Sequence, residues 1–304
     1  MTTGHVLAID FGGTKIALAM AAVGSPDGRP DTTVRLRTLG AAGAPQALRR
    51  TFDAARELLA APAAVGVSTF GVLRGGRVRL APNVPGWDGM ALPDLLRAEF
   101  GDAPVAIDND VNAGATAELR WGALRGVDVG LYLNLGTGLA AALVAGGRVL
   151  AGAHGAAGEI GYLRDSDADP FFADGHAPLE EAVSGGALAR RGSALLGRPV
   201  TAAELFELRN ELGVAALLDE VVDTLSRTIA NLCVTLDPQR IVIGGGMLGA
   251  AAHIMPRVAT ALRRAVPFPP ELATARFIDD APLVGAVALA LEAARGRIGE
   301  CTNT

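Results

Sequence analysis

Three short segments carry the side chains with which this 304-residue chain can do chemistry. In the first, Asp10 stands two residues before Gly12-Gly13-Thr14, and Lys15 follows. In the second, Gly136-Thr137-Gly138 closes an apolar run; in the third, Ile107-Asp108-Asn109-Asp110-Val111-Asn112 sets two acids among two amides. Glycine turns after short strands suit phosphate, because a backbone without Cβ approaches an anion closely and its N–H groups donate to the oxygens. A lone Gly-Gly-Thr is more often a hairpin turn, and no G-x-x-x-x-G-K-S/T loop occurs in the chain. The phosphate reading gains weight from Asp10, a carboxylate placed to hold Mg²⁺ directly or through water, and from the second turn, since two turns serve a triphosphate better than one. The third segment has two readings. Its acids and amides can cap a helix N-terminus, or one acid can act as general base while the amides orient the hydroxyls of a polyol.

The elements needed to position these segments follow from periodicity. His5 to Asp10 reads as a buried strand, Lys15 to Val23 as its hairpin partner and Thr33 to Leu39 as a third strand. A helix opens near Pro45 and runs to Ala60, then come a strand at Ala64 to Ser68, a Gly/Arg-rich hairpin and the loop Pro82-Asn83-Val84-Pro85-Gly86-Trp87. A helix near Ala91 to Phe100, a strand at Val105 to Ile107 and a helix from about Asn109 to Trp121 complete an α/β first half. From Asp128 the programme restarts: strand Val129 to Leu135, glycine turn, strand Leu139 to Val144, then a loop-rich stretch to Pro178. Helical patterns fill the rest except for a strand at Ile241 to Ile243, which runs into Gly244-Gly245-Gly246. Both halves open with strand, glycine turn, strand, a weak duplication that suggests two related lobes with a cleft between them. The last helical pattern, Val284 to Arg297, is apolar enough to return to the first lobe. The lobes are expected at 1–113 plus about 285–304, and at 114–284.

Composition narrows the function class. Half the residues are apolar and 19% charged, and 27 basic against 32 acidic residues give a net charge of −5 with no basic stripe for a nucleic acid. No apolar stretch is unbroken enough to span a membrane, and no basic region followed by an apolar run opens the chain. Cys233 and Cys301 make no disulfide framework, which suits a reducing compartment. A cytoplasmic protein with neither nucleic-acid nor membrane partners is expected.

Asp10-x-Gly-Gly-Thr-Lys15, Asn109-Asp110-Val111-Asn112, Leu135-Gly136-Thr137-Gly138 and Gly158-Glu159-Ile160-Gly161, in this order and with Pro82 to Trp87 between the first two, resemble the motifs of the ROK family of repressors and sugar kinases. The resemblance runs from about residue 5 to 295. It implies a duplicated ribonuclease-H-like fold of the actin/hexokinase superfamily, an α/β protein of two lobes with sugar in the cleft and ATP across its mouth. Asp110 then matches the catalytic base, and Gly71, Asn83, Asn109, Glu159 and Glu180 match sugar-pocket residues. Gly12, Gly13, Thr14, Lys15, Thr137 and Gly138 fall on the phosphate turns, with Gly244, Gly245 and Gly246 near the nucleoside and Asp10 toward Mg²⁺. Lys15 matches the motif, although its strand can point it away from the phosphates. The implied reaction is ATP-dependent phosphorylation of a hexose at its 6-hydroxyl, glucose first, then N-acetylglucosamine, N-acetylmannosamine or fructose. A homodimer is expected by resemblance alone.

The chain departs from the family after Glu159. Zinc-bearing members continue to Gly-His and a cysteine cluster, whereas here Tyr162 takes the histidine position and residues 165–180 contain no cysteine. Structural zinc needs thiolate or imidazole ligands, so none is expected; His154 and His176 read as surface residues, and Asp165, Asp167, Asp169 and Asp174 as a solvated acidic loop. Tyr162 can still donate to a sugar from its hydroxyl. Phe70-Gly71-Val72 replaces a commoner Pro-Gly-Pro and reshapes the same wall. The competing readings are a pseudokinase that binds sugar without turnover and a sugar-responsive repressor; the second is disfavoured because the Asp-x-Gly-Gly-Thr motif begins at residue 10.

Overall fold

The computed structural model describes residues 4–82 and 84–301. Its contacts divide the chain into two compact units: Met1–Arg125 with Ala151–Ala156 and Asp280–Thr304, and Gly126–Leu150 with Ala157–Asp279.

In the first unit, β1 (His5–Phe11), β2 (Lys15–Ala22), β3 (Thr32–Arg37), α1 (Ala44–Leu58), β4 (Val65–Thr69), β5 (Val72–Arg74), β6 (Arg77–Arg79), α2 (Leu92–Phe100), β7 (Val105–Asn109) and α3 (Asp110–Trp121) follow one another. The main sheet has the order β3-β2-β1-β4-β7, antiparallel across the first two pairs and parallel across the last two. β1 and β4 sit between two neighbours each and are buried along almost their whole length, which is why both read as continuous apolar runs rather than as alternating ones. On α1 the buried residues Ala44, Ala47, Leu48, Thr51 and Ala55 recur at helical spacing, and the four apolar ones join Leu7, Ile9, Phe11, Trp87 and Leu96 in one core.

The second unit contains β8 (Gly130–Leu135), β9 (Leu139–Ala145), β10 (Arg148–Val149), α4 (Pro178–Val183), α5 (Gly185–Leu196), α6 (Ala202–Glu207), α7 (Leu212–Leu236), β11 (Arg240–Gly244), α8 (Ala251–Ala265) and β12 (Glu271–Thr274). Its sheet order, β10-β9-β8-β11-β12, repeats the sense of the first sheet pair by pair. The fold is thus the duplicated α/β arrangement implied by the motifs. The core beneath this sheet is built by α7, α8 and the apolar faces of β8 and β11.

α9 (Ala281–Cys301) belongs to the first unit, where it packs on β1, β4 and α3. Its approach is close enough to require glycine on two elements. A Cβ on Gly66 of β4 would lie 1.9 Å from the Ala286 carbonyl oxygen, and one on Gly285 would lie 1.9 Å from that of Ala113. β12 escaped the sequence reading, which took the residues after Gly246 as helical. Glu-Leu-Ala-Thr lacks an aromatic or β-branched run, and the strand forms at a sheet edge through main-chain pairing of Arg240–Ile243 with Glu271–Thr274. Among the described residues no helix is long and apolar enough to cross a membrane.

Candidate active site

In the first unit the carboxyl ends of β1, β4 and β7 bring Asp10, Ser68 and Asp108 into register, Asp10 opposite Ser68 and Ser68 opposite Asp108. Asp10 is 7% exposed, and Ser68 Oγ, itself fully buried, donates to Asp10 Oδ1 at 2.9 Å. Burial pushes the Asp10 carboxyl up to about 7; the negative charges of Asp110 and Asp280 add to this, while the Ser68 hydrogen bond and the Lys15 charge oppose it. Sequence reasoning missed Ser68, because nothing within β4 indicates that its hydroxyl faces the aspartate of another strand.

In the segment 107–112 the capping role falls to an amide and not to either acid. Asn109 is the N-cap of α3, its Oδ1 accepting from Asn112 N at 2.7 Å. Asp108 Oδ1 accepts from Asn109 N and from Asn112 Nδ2, each at 2.8 Å; burial pushes this carboxyl up and the two bonds pull it back. Asn112 is buried, and its side-chain oxygen has no hydrogen-bond partner among the described residues. Asp110 begins the helix, accepting from Val111 N at 3.0 Å, in the first turn where a negative charge is favoured.

The first glycine turn is closed by Gly12 N donating to Lys15 O at 3.0 Å and braced by Thr38, just past β3, whose Oγ1 donates to Gly12 O at 2.6 Å and whose N donates to Thr14 O at 3.0 Å. Gly13 and Thr14 are exposed. Lys15 Nζ lies 3.6 Å from Asp280 Oδ1, and Arg35 Nη2 donates to Asp280 Oδ2 at 2.7 Å, so Lys15 leans toward the start of α9. Gly71 has a positive φ of 76°, with Arg79 O where a Cβ would stand. Beside it Phe70 stacks on Trp87 at 4.8 Å, and the indole Nε1 donates to Thr69 Oγ1 at 3.0 Å. Asn83 lies outside the described residues.

In the second unit the turn Gly136–Gly138 is seated on the start of α5. Gly136 N donates to Gly138 O at 3.1 Å, Gly185 N to Gly136 O at 2.9 Å and Gly186 N to Thr137 O at 3.1 Å. Gly185 and Gly186 were not singled out from sequence, although Ser184-Gly185-Gly186 carries a helix-start signal that the structure realises as a Ser184 N-cap. A cavity of about 770 Å³ opens here, lined by Gly136, Thr137, Gly186, Phe206, Gly246 and His253 among others. The volume suits a nucleotide-sized ligand. The Phe206 and His253 rings meet at 5.7 Å, and His253 Nε2 is buried with no partner among the described residues. Of the three successive glycines only Gly246 lines the cavity; Gly245 has φ 92° with Leu135 O 2.5 Å from a virtual Cβ, and Gly244 lies against the Tyr132 hydroxyl.

Glu159, Tyr162 and Glu180 come together in the same unit. Glu180 Oε2 accepts from Leu139 N at 2.8 Å, which ties the end of the glycine turn to α4. Burial raises the Tyr162 hydroxyl above its ordinary value, and the charges of Glu159 and Glu180 raise it further. The zinc ligand set is not matched here. Tyr162 offers a phenol, His176 Nδ1 is held at 3.1 Å by both oxygens of Glu181, and His154 belongs to the other unit. Among the described residues no three of His, Cys, Asp and Glu gather as a metal site. Asp10 keeps one carboxylate oxygen that Ser68 does not engage, a hard donor of the kind Mg²⁺ takes.

The model of the ROK family matches residues 6–293. An N-acetylmannosamine kinase from Escherichia coli O139:H28 is 33% identical, over 95% of this chain and 98% of its own. Among solved structures, the ROK hexokinase from Thermus thermophilus is 31% identical with a TM-score of 0.81, covering 96% of this chain and 99% of that one. A ROK family glucokinase from Streptomyces griseus, in complex with glucose and AMPPNP, is 26% identical with a TM-score of 0.77, over 95% of this chain and 100% of that one.

Proposed function

The chain belongs to the ROK family, and from that premise we propose that it is a sugar kinase transferring the γ-phosphate of ATP to the 6-hydroxyl of a hexose, glucose first. The observation that carries the reading is the place of Asp110 in the first turn of α3, at the carboxyl end of β7, with the N-cap made by its neighbour Asn109. In this reading Asp110 takes the proton of the 6-hydroxyl, and the oxygen attacks the phosphorus in line with the departing ADP oxygen. By the family motifs, Asn83, Asn109, Glu159, Tyr162 and Glu180 bind the ring hydroxyls, and Gly71 belongs to the same set.

By the same motifs, Gly12, Gly13, Thr14, Lys15, Thr137 and Gly138 hold the phosphates. The cavity beside Gly246 takes the nucleoside, with Gly244 and Gly245 fixing the turn that places it. The complex of the Streptomyces relative with AMPPNP supports ATP as donor. Asp10 would hold Mg²⁺ through water, and the ion supplies charge neutralisation between the β and γ phosphates when bound. Cytoplasmic placement and a homodimer belong to the same proposal.

A second acceptor, N-acetylmannosamine, is favoured by the 33% identity to the kinase of that name over 95% of the chain. An ADP-release assay on glucose, N-acetylglucosamine, N-acetylmannosamine and fructose, with wild type and Asp110→Asn, decides both points. The sugar with the highest kcat/KM names the acceptor. Wild-type turnover no greater than that of Asp110→Asn on every sugar would leave a binding protein instead of a kinase.

A further inference from the structure

Residues 163–177 join Tyr162 to α4, and so connect two of the groups assigned to the sugar. Side chains order this stretch. Asp169 Oδ2 accepts from the backbone N–H groups of Asp165 at 2.6 Å and Ser166 at 2.9 Å. Arg164 donates to the carbonyls of Asp167 at 2.9 Å and Asp169 at 3.1 Å, with its guanidinium 3.9 Å from the centre of the Phe171 ring. Two tethers leave the segment. Arg227 of α7 forks onto both carboxylate oxygens of Asp165, Nε at 3.0 Å from Oδ1. At the other end Glu181 of α4 accepts from Ala177 N at 3.0 Å as well as facing His176. Two of the four acids that read as solvated are therefore engaged.

What the tethers hold in place is an aromatic contact. Phe172 meets the Tyr162 ring edge-on at 5.2 Å and 86°, yet Phe172 is itself 60% exposed. Burial in a core does not fix its position, so the placement depends on the polar anchors of the segment that carries it.

We propose that Arg227 is a positioning residue for the sugar site: through Asp165 it holds residues 163–177 in the form in which Phe172 backs Tyr162. Arg227 reaches the Tyr162 side of the unit through Asp165 and the segment that Asp165 begins. The sugar part of this inference rests on the kinase reading above; the ordering part does not.

The test compares Arg227→Ala, Arg227→Lys and Phe172→Ala with wild type by steady-state kinetics and by hydrogen exchange of peptides covering 160–183. Arg227→Ala and Phe172→Ala are expected to raise the KM for sugar about two- to tenfold, the range of an aromatic pair contact, with the KM for ATP unchanged. Arg227→Ala is also expected to speed exchange across 163–177, with Arg227→Lys intermediate in both readouts and EDTA without effect on wild-type exchange. An unchanged sugar KM in both alanine variants, an equal rise for ATP, or exchange in wild type slowed only when zinc is added would overturn it. If the wild type turns over no hexose, the kinase reading falls and the sugar role with it. Exchange in Arg227→Ala still decides whether the tether orders the segment.

Discussion

Ser68 donates its hydroxyl hydrogen to Asp10 Oδ1 across 2.9 Å, from the end of β4 to the end of β1, with both side chains buried. One hydrogen bond does not offset the loss of water around a carboxylate, and the Asp10 carboxyl is pushed up from 3.8 to about 7.

The stability consequence has a definite sign. A carboxyl whose folded value is raised stabilises the fold below its unfolded value, and that contribution is lost as pH rises through the folded value. Asp10→Asn, which cannot ionise, is therefore expected to melt higher than wild type by a margin that grows between about pH 4 and about pH 7 and then levels off. Thermal melts without magnesium from pH 4.5 to 8 measure it, and a margin that shrinks with rising pH contradicts the assignment. The same variant is expected to lose turnover.

Asp110→Asn is expected to lower kcat by about 10²–10⁴-fold, the usual contribution of a positioned base. Its melting temperature should stay close to wild type, because the amide oxygen can still accept from Val111 N. A large drop in stability with little change in kcat would return the residue to a capping role.

Adjacent glycines separate backbone from ligand. Gly245→Ala forces a Cβ to 2.5 Å from Leu135 O at a φ of 92°, and is expected to cost about 1–3 kcal/mol or more. Gly246→Ala meets nothing within 4 Å, so it should fold normally while raising the KM for ATP and leaving that for sugar. Equal melting temperatures for the two variants would contradict the structure, and an unchanged ATP KM in the second would place the nucleoside elsewhere.

Metal analysis of the purified protein is expected to find far less than one zinc per chain, since Tyr162 and a cysteine-free loop leave no tetrahedral ligand set. Near-stoichiometric zinc defeats that expectation.

The glycine turns, the capping signal in 107–112 and the presence of the main strands are legible because each is decided by a few adjacent residues. Glycine, aspartate and asparagine state their backbone preferences locally. What stayed hidden depends on register between distant strands or on helices that meet only in space. Ser68 matters because it stands opposite Asp10 in the β1–β4 pairing, and the cavity draws Phe206 from α6 and His253 from α8. β12 stayed hidden because its own residues have little strand preference and pairing with β11 supplies it. Asp165 and Asp169 read as solvated acids because their partners, Arg227 and two backbone amides, leave no mark on the acidic run itself.

The fit of α9 against Gly66 and Ala113 has a consequence for biogenesis. On the ribosome, β1, β4 and α3 emerge long before the helix that covers them. Their apolar surface must wait, exposed or guarded, while the residues of the second unit are made. The second unit needs nothing synthesised after Asp279, so it can fold first, and nascent-chain arrest before Ala281 should leave the first unit sensitive to protease and bound by chaperone.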